Sequence, residues 1–374
     1  MPMRYDAVII GAGPAGSAAA RLLAGAGWSV ALVEKTAFPR RKVCGEFISA
    51  TTMPVLEDCG IAMPFAIAAG PPVTRVGVYA GNTTLSARRE QSWGRALGRE
   101  HLDVMLRDAA LAAGARLFQP VEVTGLVRQP DGYLCTLEDG YELNAGIVIA
   151  ACGSWNARGI FAVEDSAPSP SDLFAFKAHF TQGALPAGLM PLLAFPGGYG
   201  GLVESDAGRT SLSCCIRRDA LTRVRQRFGG KAASAVLAHI LETTKGARLA
   251  LEHATLDGHF LSTGPIHPGI RLREQDGIYF TGNIAGEAHP VIAEGISMAI
   301  QSSGLLAQLL IVRRGECYAA AWKRRFGPRI RAASVFAQLA MRAPTRAAAL
   351  ALLRVAPGLM GLGARLSGKM PISA

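Results

Sequence analysis

The sequence predicts an α/β fold in which a discontinuous, Rossmann-like domain is interrupted by a β-rich inserted domain and followed by a helical tail. Three observations carry this expectation. A short apolar strand, a glycine-rich turn and an Ala/Leu-rich helix open the chain. Pro/Gly-interrupted β segments replace that pattern between Ala162 and Ile270, and strand followed by helix returns from Gly277 onward. With 374 residues, half of them hydrophobic, the chain has core enough for two joined domains, which excludes a small stapled scaffold and a disordered chain.

The elements follow in order. Tyr5 to Ile10 is apolar and β-rich, the helix pattern runs through Leu23 until Gly27 ends it, and Trp28 to Val33 is a second strand that finishes at Glu34 and Lys35. Together they form a βαβ unit of about 30 residues. Arg99 to Ala113 alternates at helical spacing, with Leu102, Leu106 and Ala109/Ala110 on one face and Gly114 placed to stop it. A meander of Val121–Val127, Tyr133–Leu137 and Tyr141–Leu143 is expected around Asp131-Gly132 and Asp139-Gly140, before a fully apolar strand from Ala145 to Ala151.

In the inserted domain, strands are expected at Phe174–Phe180, Leu192–Phe195, Gly200–Glu204 and Thr210–Ile216, with one helix around Ala232–Leu241. Gly277–Phe280 is again a strand, and a helix runs from Gly295 to about Val312. Residues 1–72, 95–160 and 264–330 are therefore assigned to the first domain, 73–94 and 161–263 to the inserted substrate-binding domain, and 331–374 to a basic amphipathic tail.

Charge is unevenly spread. From residue 311 onward there are twelve Lys/Arg and a single acid, Glu316, while the first 310 residues balance. A basic tail on a neutral body points to an anionic contact at one end, a membrane surface or an acidic carrier protein in preference to nucleic acid. A solvated face, or a pair of tail helices docked on the core, is the plain alternative.

The seven cysteines form no CxxC pair, and their odd number suits a reducing compartment; the seven histidines are scattered, so no metal site is expected. The start lacks a hydrophobic signal region, and Arg354 and Pro357 interrupt the most apolar tail segment, Ala347–Ala364. A cytoplasmic protein is expected, with peripheral contact at the inner face of the membrane as the added option.

Gly11, Gly13 and Gly16, with Pro14 and Ala15 between the last two, form a GxGxxG turn after a strand and before a helix. The first glycine permits the tight turn, the second lets a phosphate approach the backbone, and the third lets helix and strand pack closely. Free N–H groups at the helix start then face a pyrophosphate, and Glu34 ends the next strand where it can accept hydrogen bonds from a ribose diol. A dinucleotide is expected; the turn does not tell FAD from NAD.

Later segments bear on that choice. Gly277-Ile278-Tyr279-Phe280-Thr281-Gly282-Asn283-Ile284-Ala285-Gly286, continuing through Pro290 to Glu294-Gly295-Ile296, resembles the G-D-A-A-G, D-P, G-E-G-I segment of a large flavoprotein family. That family contains geranylgeranyl reductases, p-hydroxybenzoate-hydroxylase-type monooxygenases and flavin-dependent halogenases. The resemblance covers most of residues 4–312 and implies FAD and a fold of the p-hydroxybenzoate hydroxylase type. It makes Gly282 and Asn283 contacts of the ribityl chain, and Gly295 and Ile296 the helix start facing the flavin. Asn283 stands in place of the family's acid, His289 in place of a second Asp, and Ala293 in place of a Gly.

Arg99, Leu102, Asp103 and Leu106 match the family's R-x-x-L-D-x-x-L helix, implying that Arg99 anchors the FAD phosphates, with Val123 near the adenine. Cys152-Gly153-Ser154-Trp155 and Arg158 occupy the place of its D-G-x-x-S-x-x-R segment; Cys152 in place of Asp leaves open whether NADH or NADPH or a separate reductase delivers electrons. Cys44, Gly45 and Glu46, after Lys42, are similar to the K-x-C-G-G segment of the geranylgeranyl reductase branch near flavin and substrate. Cys44 and Glu46 of this segment, together with His289, are the catalytic candidates, Glu46 as an acid or base requiring a raised pKa. Leu193, Phe195, Tyr199 and Pro290 are the candidate substrate pocket, with Leu193 where that branch carries Trp.

The halogenase signature Trp-x-Trp-x-Ile-Pro is missing. The resemblance implies an FAD-dependent oxidoreductase drawing on NADH or NADPH. Hydroxylation of an apolar or aromatic, polyketide-like molecule through a flavin C4a-hydroperoxide is the first expectation, and reduction of a C=C bond in an isoprenoid or lipid the alternative. A flavin-binding protein without turnover, docked at a membrane or partner, is the third. Substrate identity and oligomeric state are not readable.

Overall fold

A computed structural model of the chain describes residues 3–154, 160–161, 167–273, 275–356 and 358–369. Trp155 and Arg158 lie outside the described residues. Two seven-stranded sheets carry the architecture.

In the first sheet Met3–Ile10 is central. It pairs in parallel with Val30–Val33 on one side and Glu142–Ala150 on the other, and Arg116–Phe118 extends the sheet beyond Val30–Val33. Glu142–Ala150 changes partner along its length. Its start pairs antiparallel with Gly132–Leu137, and its end pairs in parallel with Ile278–Phe280 through Val148↔Ile278. The expected segments Tyr141–Leu143 and Ala145–Ala151 are thus one strand, because Asn144 stays in register with both Arg4 and Leu134.

Val30–Val33 and the end of Glu142–Ala150 are buried residue after residue, as continuous apolar runs covered on both faces should be. Helices Pro14–Gly25 and Gly295–Ile311 pack against one another beside this sheet, and Trp322 and Phe326 of the long helix Tyr318–Met341 are buried in the same core. That helix runs unbroken across residue 330, so the tail begins as a continuation of an element already packed on the first domain.

The second sheet runs Thr255–Ile266, Leu173–Thr181, Thr210–Arg217, Gly198–Glu204, Leu189–Phe195, Arg75–Ala80 and Thr83–Arg88. All contacts are antiparallel except the parallel one between Leu189–Phe195 and Arg75–Ala80. One face packs on three helices, Arg218–Phe228, Ala232–Thr243 and Lys245–Leu251. Only the middle helix is visible in the sequence pattern. The first is highly charged and buries just Ala220 and Val224, and the third is two turns long.

The glycine turn shows its geometry directly. Gly11 has φ +103°, and a Cβ there would lie 2.7 Å from the Ala151 carbonyl oxygen. A Cβ on Gly16 would collide with the Gly11 carbonyl oxygen, so helix and turn can touch only through hydrogen. Gly16→Ala is expected to cost about 3 kcal/mol or more, because backbone rather than a flexible side chain must move; thermal unfolding beside the parent chain measures it.

Candidate functional site

A single cavity of about 890 Å³ runs from the glycine turn, between the two sheets, to the C-terminal helices. At its first end, helix Pro14–Gly25 starts with Gly13 as N-cap, proline at its start and no acid in its first turn, so its positive end meets the cavity with no acid of its own. Glu34, 4% exposed, ties three segments together. It accepts the Ala12 N–H and the Thr36 N–H at 2.9 Å each, and the Arg40 guanidinium at 2.6 and 3.1 Å. Lys35 is exposed, pairs with Glu122 at 3.2 Å and stands on the cavity rim; Val123 is buried in its wall.

Arg99 makes a fork with Asp103, 2.6 and 2.7 Å long, and its Nη2 lies 3.8 Å from where a Gly13 Cβ would be. Burial works against its charge, yet Asp103, with a smaller part from Cys44, holds the guanidinium firmly protonated. Burial and the positive charges of Arg40 and Arg99 push Lys42 down from its ordinary value. Cations crowded in this way make a cradle for phosphates.

The second motif closes the same space. Gly282 turns at φ +69°, and the Asn283 amide donates to Ser154 Oγ and to Glu287 Oε1 at 3.1 Å each. Glu287 also accepts from Ser154 Oγ at 3.0 Å and from Arg271 at 3.3 Å. Burial raises the pKa of Glu287 despite Arg271. The sequence reading missed this acid; its one visible signal is that it follows Asn283 by four positions in a mostly apolar stretch.

Ala293, where a Gly is usual in the resembling family, sits at φ +51°. Next to it Glu294 is fully buried, accepting from Ser49 Oγ at 3.0 Å and pairing with Lys369 at 3.1 Å. Helix Gly295–Ile311 then begins with Gly295 and Ile296 on the cavity wall, and a Cβ on Gly295 would meet nothing within 4 Å.

Cys44, Gly45 and Glu46 line the cavity between the two motifs. The Glu46 N–H donates to Cys44 Sγ at 3.4 Å, and Glu46 takes φ +61°, a conformation that strains any residue but glycine. Its carboxylate leaves the first domain for the second sheet, pairing with Lys177 and, at 2.8 Å, with His179. Burial pushes the Glu46 pKa up, but His179 and Lys177 outweigh it and hold the group well below the usual carboxylate range. The expected raised pKa is therefore replaced by its opposite, and the ionised form of Glu46 is favoured by the partners that tie the loop to the second sheet. Lys177 and His179, two apart on one strand face, were not among the sequence candidates.

On the second sheet, strand alternation separates the pocket candidates. Met190, Leu192 and Ala194 face the cavity, whereas Leu193 and Phe195 face the helices behind the sheet and belong to the core. The pocket assignment of Leu193 and Phe195 is corrected accordingly. Tyr199 and Pro290 do line the cavity. The Tyr199 hydroxyl and His289 Nδ1 share a 3.2 Å hydrogen bond, with His289 just behind the wall. Burial, with a smaller contribution from Cys215, raises the Tyr199 pKa well above its ordinary value, and burial lowers His289 to about 4. Burial also pushes the Cys152 thiol up to about 12, which suits a small apolar filler better than a reactive thiol. Among the described residues no group of three His, Cys, Asp or Glu side chains could hold a metal ion.

The sequence pattern of the FAD binding domain family matches residues 4–159. A menaquinone reductase of Mycobacterium tuberculosis is 30% identical over 158 residues, 41% of this chain and 39% of that protein. A digeranylgeranylglycerophospholipid reductase of Methanothermobacter thermautotrophicus is 31% identical over 188 residues, 46% of this chain and 45% of that protein. The matches thus span less than half the length of these curated relatives. Among solved structures, the flavin-dependent brominase Bmp2 superposes with a TM-score of 0.80 at 19% identity, covering 99% of this chain and 95% of that one. A geranylgeranyl bacteriochlorophyll reductase-like protein of Thermoplasma acidophilum superposes at 0.74 and 19% identity, covering 91% and 88%. The fold is that of FAD-dependent halogenases, monooxygenases and geranylgeranyl reductase-like proteins.

His289 makes a pH prediction. The unfolded chain takes a proton near pH 6.5 that the folded site refuses until about pH 4. This site's contribution to stability is complete above pH 6.5 and lost as pH falls toward 4, on the order of 2–3 kcal/mol. Comparing melts of the parent chain and His289→Asn across that range should show the parent losing more.

Proposed function

We propose that the chain is an FAD-dependent oxidoreductase that reduces a carbon–carbon double bond in an extended apolar molecule, drawing electrons from NADH or NADPH. The observation that carries the reading is the continuity of one cavity, from a cationic cradle at the glycine turn to a chamber walled by Met190, Leu192, Ala194 and the aliphatic face of the C-terminal helices. The residues present fit FAD. Gly13 leaves open backbone at the start of a helix without acids in its first turn, Arg99 stands beside it, and Glu34 ends the neighbouring strand. The names of the curated relatives, a menaquinone reductase and a digeranylgeranylglycerophospholipid reductase, favour reduction over the hydroxylation first expected from the sequence.

Reduced FAD supplies the hydride equivalent in such chemistry. The chain's own residues do the rest. Arg99 and the N-terminus of helix Pro14–Gly25 would hold the pyrophosphate, and the N-terminus of helix Gly295–Ile311 would offer its positive end to negative charge on the flavin ring. The apolar chamber keeps water from the reacting carbon. Glu46, held ionised, cannot donate a proton at neutral pH. Tyr199 is the candidate proton donor: burial keeps its hydroxyl protonated on the cavity wall, and neutral His289, hydrogen-bonded behind it, would relay a proton from solvent, taking one up on one ring nitrogen as the other gives one to the tyrosine oxygen.

Under nitrogen, the FAD-loaded chain reduced with NADH or NADPH should be reoxidised faster by an isoprenoid with isolated double bonds, and the product should gain two hydrogens by mass. Turnover that requires oxygen, with labelled oxygen in the product, overturns the reading in favour of hydroxylation. Tyr199→Phe is expected to lower kcat about 100-fold with FAD affinity unchanged. Arg99→Ala should instead weaken FAD uptake, measured by flavin fluorescence, by tenfold or more through loss of charge-assisted contacts to phosphate.

A further inference from the structure

The two ends of the cavity have opposite chemistry. Its exposed rim at the nucleotide end is cationic, made by Lys35, Arg41 and Lys42. At the other end Leu339, Leu352, Leu362 and Leu366 line the cavity and are at the same time more than a third exposed, so they form an apolar mouth. Val335 and Val355, the latter 86% exposed, carry the apolar surface outward from that mouth. Helix Ala343–Val355 buries no residue at all, so one side faces the cavity while the other has no cover among the described residues. Aliphatic side chains concentrated at one exposed mouth mark an interaction site rather than ordinary surface.

Charge identifies the occupant. Exposed Arg331, Arg354 and Arg365 lie on these three helices and exposed Arg342 at the junction of the first two, and no Asp or Glu follows Glu316. The partner must be anionic and apolar together. The exposed large side chains of these helices are all aliphatic, without the exposed Tyr or Trp anchors that concentrate binding energy at protein interfaces. No single helix is long and apolar enough to cross a membrane, and Ala343–Val355 meets Leu359–Leu366 at a bend of 118°. That arrangement suits helices lying in an interface.

We propose that Tyr318–Met341, Ala343–Val355 and Leu359–Leu366 dock on an anionic lipid bilayer, seating the apolar mouth in the acyl region so that a lipid-borne substrate enters the chamber without crossing water. Docking depends only on the surface; the entry route rests on the oxidoreductase reading above. Inward anchors keep the wall in place while its outer face binds. Lys369 holds Glu294, and Thr51 donates to the Gly368 carbonyl oxygen at 2.9 Å.

The full chain, loaded with FAD, is floated with vesicles of phosphatidylcholine alone and of phosphatidylcholine with phosphatidylglycerol. It is expected to rise with the anionic vesicles only, and less at high salt. The double variant Val335→Glu/Val355→Glu, changed only at exposed positions outside the cavity wall, should bind at least tenfold more weakly. Arg342→Gln/Arg365→Gln should lose about thirtyfold, from roughly 1 kcal/mol per basic residue at a charged bilayer. Both variants should keep the parent's FAD uptake and melting temperature, so docking is read separately from the flavin chemistry. A parent that stays with the soluble fraction, variants that float as well as the parent, or capture by an acidic acyl carrier protein but not by vesicles would each overturn the proposal.

Discussion

Residues 34–46 are tied at each end by a buried carboxylate, and the placement of the candidate site depends on that double attachment. Glu34 grips Arg40 and the backbone of the glycine turn, while Glu46 reaches Lys177 and His179 on the second sheet. The intervening loop carries Lys42, Cys44 and Gly45 along the cavity wall. Buried ion pairs of this kind add little net stability over apolar packing, but they strongly disfavour alternatives in which one charge is left alone. Their effect here is to specify how the nucleotide end and the apolar chamber meet.

The C-terminal helices are the second determinant of the site. Phe326 and Trp322 root the long helix in the first core, and Lys369 brings the end of the chain back to Glu294, one residue before helix Gly295–Ile311. The tail is therefore a wall of the chamber as well as an appendage. Its inner face supplies Leu350, Leu353, Leu359 and Met360 to the cavity and so adds aliphatic wall to that of the second sheet. Full burial of Tyr199 and partial burial of His289 keep both neutral in the same place.

Legibility in the sequence followed the range of the interactions. The glycine turn, Glu34, Arg99 and the Gly282–Ile296 segment are legible in local pattern, and the fold brings Gly11, Gly13, Glu34, Arg99, Gly282, Asn283, Gly295 and Ile296 to one cavity, while Gly16 serves the helix–turn contact and His289 stands behind the wall. Leu193 and Phe195 are as apolar as Leu192 and Ala194. Only the position of the helices behind the sheet decides which alternating set is core. The state of Glu46 depends on two residues more than 130 positions away, and Glu287 draws its significance from Ser154 and Arg271. No local pattern encodes those partners.

By itself the sequence determined the glycine turn, the order of strand and helix segments and the concentration of positive charge at one end, because each depends on residue type and short spacing. Tertiary structure decided which carboxyl group stays charged, which face of each strand meets the cavity and where the basic tail lies. Those outcomes rest on desolvation and on contacts between distant segments, and neither exists until the chain has packed.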